Sequence, residues 1–364
     1  MKYKKYADPA FIAKLIKEPA SVIDTFELVY TTKDKLKIRR KKLKESFVYK
    51  LGNQELTKQE DLHRIEQLVI PPAWRKVKIA VPLNAHIQAV GRDVKRRKQY
   101  RYHERWKQIR NQTKFFKMAA FGSQLPKIRI QVALDLEQKG WPKTKVIALI
   151  IRLMEETHIR IGNDQYAKRN KTYGLATLRT RHKSVYDEKV AFNFVGKKGK
   201  EHNILLKDRK LTRLVNECGE IPGWELFQYF DENKEKQSVD SSMVNAYIHN
   251  ITGDIFTAKD YRTWAATNIF FEKLMELGTS STKKKQKKNI LKALDTAAKA
   301  LGNTRSVCRK YYVHPAVVNT YLTGRIEEDF KAIELLTKPN DQLSDTETIV
   351  LDLIKNYVPN FLTE

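Results

Sequence analysis

Four separated stretches of this chain hold side chains that could together break and remake a phosphodiester without a metal ion. One is Arg305-Ser306-Val307-Cys308-Arg309-Lys310-Tyr311-Tyr312-Val313-His314-Pro315, which carries two adjacent tyrosines. The others are His158-Ile159-Arg160-Ile161-Gly162-Asn163, Lys259-Asp260-Tyr261-Arg262-Thr263-Trp264 and Phe194-Val195-Gly196-Lys197-Lys198. A tyrosine hydroxyl has an ordinary pKa of about 10, so as a nucleophile towards phosphorus it needs help in losing its proton and a site that favours the dianionic pentacoordinate transition state. Two arginines can supply that site, because each planar guanidinium donates paired hydrogen bonds to non-bridging oxygens and keeps its charge at any working pH. One such preorganised donor is worth on the order of 3 kcal/mol. A lysine can protonate the departing 5′ oxygen, since an alkoxide is a poor leaving group. The chemistry does not choose between Tyr311 and Tyr312.

Each residue also has a plainer reading. Arg160 could be a cation at a helix carboxy terminus, and Arg262 could pair with Asp260 or Glu272 on its own helix. A lysine at a hairpin tip is usually just solvated. Cys308 reads as a small buried filler, and His158, His182, His202 and His314 as scattered structural residues. No glycine-rich phosphate loop precedes a lysine, and no clustered carboxylates suggest a magnesium site, so neither nucleotide nor metal cofactor is expected.

The charge points to a polyanionic partner. Among 364 residues, 70 basic side chains face 42 acidic ones, a formal charge of +28 that solubility does not require. Between Arg92 and Lys117 there are eleven Lys or Arg against Asp93 and Glu104, interleaved with Tyr100, Tyr102, Trp106, Phe115 and Phe116. Phosphate neutralisation with aromatic surfaces beside it reads as a nucleic-acid contact. From Arg325 to Glu364 the balance reverses to four basic and nine acidic residues, a tail expected to face away from DNA. Two cysteines exclude a disulfide framework. The basic amino terminus lacks a secretory pattern and no apolar run could span a bilayer, so a cytoplasmic, nucleoid-associated protein is expected.

The elements that must position these residues follow from periodicity. Residues 1–25 read as a short helical extension. A β-rich region follows over 26–105, with strands at Leu28–Tyr30, Phe47–Tyr49, Val77–Val81 and His86–Val90, and a basic loop from Lys33 to Lys44. The helical pattern starts at Pro126 and continues in a helix that Pro142 opens and Gly162 closes. A β-hairpin, Val190–Val195 with His202–Leu206, presents Lys197 and Lys198 at its tip. Helices are expected over 208–217, 239–250, 259–277, 286–301, 315–322 and 345–356, with a mobile linker at Lys283–Lys288. The domains are thus 1–25, 26–105, a mainly α-helical 106–325, and an acidic helical tail over 326–364. The fold class is α+β.

The order and context of these motifs resemble the type IB DNA topoisomerases, in the compact branch of bacteria and poxviruses. Val69-Ile70-Pro71-Pro72-Ala73-Trp74, Gln88-Ala89-Val90-Gly91-Arg92-Asp93 and Arg97-Lys98-Gln99-Tyr100-Arg101-Tyr102-His103 resemble that branch's amino-terminal domain. The resemblance runs from about Leu28 to about Gly324. It implies a protein that clamps duplex DNA as a monomer and relaxes supercoils through a 3′-phosphotyrosyl intermediate, with no ATP. It assigns Tyr312 as nucleophile, because the family tyrosine precedes a hydrophobic-His-Pro element. It assigns Arg160 and Arg262 to the non-bridging oxygens, and Lys197, directly after the hairpin glycine, as acid. Gln99, Tyr100 and Tyr102 match the segment that contacts DNA, with Arg92, Lys95, Arg96, Arg97 and Lys98 beside them. Where poxvirus and eukaryotic relatives carry a histidine, Asn303 stands, as in bacterial members. On one unbroken helix Asn303 and Tyr312 would lie about half a turn apart, so a break between them is required. A tyrosine recombinase is the nearest alternative, but it should have histidine where Lys259 stands. A non-catalytic basic DNA-binding protein is the other, which leaves the four motifs without a reason.

Overall fold

The computed structural model describes residues 9–44, 46–186, 189–253, 255–336, 342–355 and 357. Residues 1–8 of the expected extension, and 337–341, 356 and 358–364 of the expected tail, lie outside them. The described residues form two compact units, one up to Lys114 and one from Phe115 onward. It is mixed helix and sheet.

In the first unit, helix α1 (Pro9–Lys17) precedes an antiparallel sheet with strand order β3-β2-β1-β4-β5-β6. Its strands are β1 (Ile38–Leu43), β2 (Ser46–Leu51), β3 (Gln54–Glu55), β4 (Arg75–Ile79), β5 (Ile87–Arg92) and β6 (Lys98–Tyr102), and helix α2 (Gln59–Gln67) lies between β3 and β4 in sequence. Ile38, Val77, Ile79 and Ala89 bury one sheet face together with Ile65 of α2. Two expectations fail here. The basic stretch Lys33–Lys44 contains β1, because Ile38 supplies the buried residue that a mostly charged strand needs. Leu28–Tyr30 makes only an isolated bridge, Val29 to Ala85, and Leu28 instead packs with Leu15, Val22, Ile23, Phe26, Trp106 and Ile109.

Helix α3 (Glu104–Leu136) begins long before Pro126, and the division between the units falls within it at Lys114 rather than near residue 105. Trp106, Ile109, Met118, Phe121, Leu125, Ile128 and Val132 recur at helical spacing and are buried. The dense charge between them masks this period. Trp106 and Phe115 are therefore core residues rather than surfaces for DNA.

The second unit continues through α4 (Lys143–Thr157), α5 (Asp164–Asn170), the three-stranded antiparallel sheet β7 (Lys183–Tyr186), β8 (Lys189–Val195) and β9 (Glu201–Leu206), and α6 (Arg209–Cys218). A small ribbon, β10 (Gln228–Phe230) with β11 (Lys236–Ser238), leads to α7 (Ser241–Thr252), α8 (Ala258–Leu277), α9 (Lys283–Ala300), α10 (Arg305–Tyr311), α11 (Pro315–Thr323), α12 (Ile326–Glu334) and α13 (Asp345–Lys355). The expected hairpin is β8–β9, in register from Val190 opposite Leu206 to Val195 opposite Glu201. The expected linker Lys283–Lys288 is the first part of α9, which its apolar face (Ile290, Ala293, Leu294, Ala297) fastens to the core.

The acidic tail is part of the same core. Leu343, Ile349, Val350, Leu351 and Ile354 are buried in it, and Glu347 accepts hydrogen bonds from Arg129 Nη1 at 2.7 Å, Arg129 Nη2 at 2.9 Å and Trp264 Nε1 at 2.8 Å. Burial works against the Glu347 carboxylate, but Arg129 and Trp264 outweigh it and hold its pKa below the ordinary 4.5. A carboxyl with a depressed folded pKa contributes stability that is complete above its unfolded pKa and is lost as pH falls through the folded one. Urea unfolding of wild type should therefore lose stability from about pH 5 downward that Glu347→Gln does not lose. Glu347→Ala should cost about 3 kcal/mol at neutral pH, the low end for a broken buried pair because Glu155 still bonds Arg129.

Candidate active site

The site assembles where four chain segments of the second unit end. Helix α4 stops at Thr157 because His158 turns left-handed (φ 55°), four residues before the expected stop at Gly162. The chain then runs extended through Arg160, whose carbonyl accepts from Leu175 N at 2.9 Å, while Ile161 O accepts from Ala176 N at 2.8 Å. Gly162 takes φ +90°, a conformation that other residues rarely adopt. Asn163 caps α5 by accepting from Gln165 N and Tyr166 N. Arg160 is thus fixed by its backbone beyond the helix rather than by the helix dipole.

Arg262 lies one turn into α8. Thr257 and Asp260 close a capping box there, and Lys117 Nζ donates to Asp260 at 2.6 Å in a buried pair. Asp260 is therefore committed to Lys117, and Arg262 is only 6% exposed. Its Nη1 donates to His158 O and its Nη2 to Leu301 O at 2.7 Å. Its Nε is buried and has no partner. Burial, then the neighbouring Arg160, bring its pKa down to about 10, against the pull of Tyr312, so the guanidinium stays charged at neutral pH.

Helix α9 gives way at Leu301, Gly302 turns left-handed (φ +62°), and α10 starts at Arg305, so the break required between Asn303 and Tyr312 is present. Asn303 Oδ1 accepts from Arg160 Nη2 at 2.5 Å. With Oδ1 so engaged, the amide's Nδ2 remains as a donor, and it too is buried without a partner. Tyr312 ends α10 with its ring 5.6 Å from the Arg262 guanidinium carbon. Burial opposes ionisation of its phenol, but Arg262, Arg160 and the donors of Arg262 and Asn303 outweigh it, and the pKa falls below 10.

The backbone after Tyr312 is held by Thr267 of α8, a residue the sequence reading missed. Its hydroxyl lies within donating distance of Thr263 O at 3.0 Å and Tyr312 O at 3.2 Å, and accepts from His314 N at 3.1 Å. Nothing in residue type or spacing singles it out. His314 caps α11, and burial takes its pKa down to about 3. Cys308 is fully buried with its thiol pushed up to about 11, an inert filler. Tyr311 is 41% exposed.

The hairpin completes the constellation. Lys197 lines a small cleft with Arg160, Arg262, His158, Gly196 and His202, and Lys198, in a left-handed turn (φ 66°), does not line it. The structure thus brings Arg160, Arg262, Asn303 and Tyr312 together, with Lys197 on the wall of the cleft beside the two arginines.

The remaining predicted residues lie in the first unit, on the β5–β6 hairpin. Lys98, Tyr100 and Tyr102 share the exposed face of β6, with the two tyrosine rings stacked 5.7 Å apart and the Lys98 ammonium 5.0 Å from the Tyr100 centroid. Gln99 points to the other face and donates to Asp93. Arg92 donates to Arg96 O, Arg97 pairs with Asp93 at 2.7 Å, and Lys95 and Arg96 are exposed at the turn. Lys117, counted with this stretch in the sequence, is not part of it.

Residues 103–338 match the family model of the eukaryotic DNA topoisomerase I catalytic core, a span that contains all five candidate catalytic residues. Residues 46–93 match the amino-terminal domain of bacterial DNA topoisomerase IB. The DNA topoisomerase 1B of Acanthamoeba polyphaga mimivirus is 33% identical over 293 residues, 78% of this chain and 87% of the viral one. The chain belongs to the type IB DNA topoisomerases. More distant relatives are the vaccinia virus DNA topoisomerase 1B (strain Copenhagen), 20% identical over 73% of this chain and 80% of its own, and the rabbit fibroma virus DNA topoisomerase 1, 25% identical over 71% and 81%.

Within the topoisomerase IB core, the position where a recombinase should have histidine is Lys259, which is exposed in the first turn of α8. Among the described residues no group of three or more His, Cys, Asp or Glu side chains is placed to hold a metal ion. Thr267→Val removes the hydroxyl and leaves the buried His314 N–H without an acceptor. It should cost about 1–3 kcal/mol of unfolding free energy in urea, while Thr267→Ser should stay close to wild type.

Proposed function

We propose that this topoisomerase relaxes supercoiled duplex DNA by cleaving and resealing one strand at the site just described. Tyr312 gives its phenolic proton to solvent, and its Oη attacks a backbone phosphorus as the bond to the 5′ oxygen breaks. Arg160, Arg262 and Asn303 donate hydrogen bonds to the non-bridging oxygens as their charge grows, and Lys197 gives its proton to the departing oxygen. The products are a 3′-phosphotyrosyl ester and a strand ending in a 5′ hydroxyl. That strand rotates about its partner, and its hydroxyl attacks the ester to reverse the chemistry. The ester conserves the phosphodiester energy, so no ATP is consumed.

The observation that carries this reading is the pair of buried, unpartnered donors, Arg262 Nε and Asn303 Nδ2, converging with Arg160 on a phenol whose pKa they lower. Arg64 Nε, Arg101 Nε and Tyr261 Oη are buried and unpartnered too, but only Arg262 and Asn303 among these residues are donors that lower the pKa of Tyr312. A phosphate oxygen is the acceptor this set suits, because it accepts charge-assisted hydrogen bonds from several directions. In the first unit, the exposed row of Lys98, Tyr100 and Tyr102 supports a grip on the same duplex, with Lys95 and Arg96 neutralising phosphates. A monomer suffices, since all five residues come from one chain.

Supercoiled plasmid incubated with the protein in EDTA and without nucleotide should relax. Under denaturing quench a covalent protein–DNA adduct should be trapped. Tyr312→Phe should abolish both relaxation and adduct with DNA affinity within a few-fold of wild type, and Tyr311→Phe should retain both. An active Tyr312→Phe enzyme, or binding without relaxation by wild type, would defeat the proposal.

A further inference from the structure

His202 of β9 lines the cleft with Arg160, Lys197 and Arg262, yet the reaction above gives it no task. Its ring stacks on Phe194, the residue opposite it in the β8–β9 ladder, with centroids 4.9 Å apart and planes 13° from parallel. Two glycines approach the rest of the ring. A Cβ added to Gly196 would lie 2.7 Å from His202 Cδ2 and Nε2, and one added to Gly302 would lie 2.8 Å from Cε1. Gly196 immediately precedes Lys197, and Gly302 immediately precedes Asn303. The flat ring therefore fills the space between the hairpin tip and the turn joining α9 to α10, in contact with both backbones.

The tip needs such a support. Lys197 to Lys200 are exposed, and the bonds that close the turn, Gly196 N to Lys200 O at 2.7 Å and Gly199 N to Gly196 O at 3.1 Å, are internal to the hairpin. They shape the tip, and the bond that ties the strand before it to another segment, Tyr173 N to Val195 O at 2.8 Å, lies two residues short of Lys197. Gly196 itself has an extended backbone (φ −96°, ψ −164°) open to any residue, so the lack of a side chain there serves space rather than conformation.

We infer that His202 is a positioning residue that braces the hairpin tip against the Gly302–Asn303 turn and so sets where Lys197 stands relative to Arg160 and Arg262. The inference rests on Lys197 acting as the acid proposed above. The ring works by shape as a neutral group, because burial, and then Arg160, Lys200 and Arg262, hold its pKa below the ordinary value. Displacing a catalytic group by about 1 Å typically costs on the order of 100-fold in rate.

The test compares single-turnover cleavage by wild type, His202→Ala, Lys197→Ala and the double variant. Each acts on a natural strand and on one whose bridging 5′ oxygen at a mapped cleavage site is replaced by sulfur. A thiol has a pKa of about 8.5 and leaves without an acid. His202→Ala should be slower by roughly 10- to 100-fold on the natural strand and within a few-fold of wild type on the sulfur strand. The double variant should be no slower than Lys197→Ala alone. Gly196→Ala, which removes no contact, should slow the enzyme by crowding the ring, and should add nothing once His202 is alanine; it carries the test by itself if His202→Ala does not fold. Equal slowing of His202→Ala on both strands, a multiplied defect in the double variant, or a wild-type rate on the natural strand would overturn the inference. Equal slowing of Lys197→Ala on both strands would instead overturn the acid assignment, and the double variant would still report whether His202 acts through Lys197.

Discussion

The site depends on one buried cation. Taking a guanidinium out of water is costly unless its donors are met, and Arg262 meets that cost with the carbonyls of His158 and Leu301. Those carbonyls close α4 and α9. The single side chain therefore ties the ends of two helices to a third, and it does so where each chain turns left-handed or is about to. Past His158 comes Arg160, and past Leu301 come Gly302 and Asn303. Because the two Nη atoms are used for structure, Nε is the donor left over.

Helix α8, which carries Arg262, is itself fixed along its length. Its first turn is held by the buried Lys117–Asp260 pair, Trp264 meets Glu347 from α13, and Thr267 holds the backbone of Tyr312 and His314. A site of rigid parts suits a reaction whose charge grows on oxygens, since donors already in place need no reorganisation. Arg160 and Arg262 also repel one another, and this lowers the pKa of Arg262. An anion between them relieves the repulsion, and a dianionic transition state relieves it more than a monoanionic ground state does.

The sequence made the chemistry more legible than the framework. The residue types in the short motifs of Tyr312, Arg160, Arg262, Lys197 and Asn303 state what the side chains can do, but the choice of Tyr312 over Tyr311 and of Lys197 over Lys198, the role of Asn303, and with it the need for a break after α9, followed from the family resemblance. Hairpin β8–β9 and most helices were readable from period. What failed were the stretches where charge hides period. In helix α3 lysines and arginines interrupt the apolar residues that bury it, and the same mixture hides the strand period of β1 and the helical period at the start of α9. The parts that could not be read at all act through tertiary contact. Thr267 is an ordinary helical threonine until Tyr312 and His314 meet it, His202 is an ordinary strand residue until two glycines close on its ring, and the acidic tail joins the core through its buried apolar residues and the bonds of Glu347 to Arg129 and Trp264.

The account turns on the claim that Arg262 acts through the geometry of its fork and not through charge alone. Arg262→Lys keeps the positive charge, but its three donors share one nitrogen and cannot take the separate positions of Nη1, Nη2 and Nε. Single-turnover formation of the covalent adduct should slow by about 100-fold or more in this variant, with DNA affinity within a few-fold of wild type. Adduct formation by Arg262→Lys at close to the wild-type rate would show that a point charge suffices, and would contradict the account.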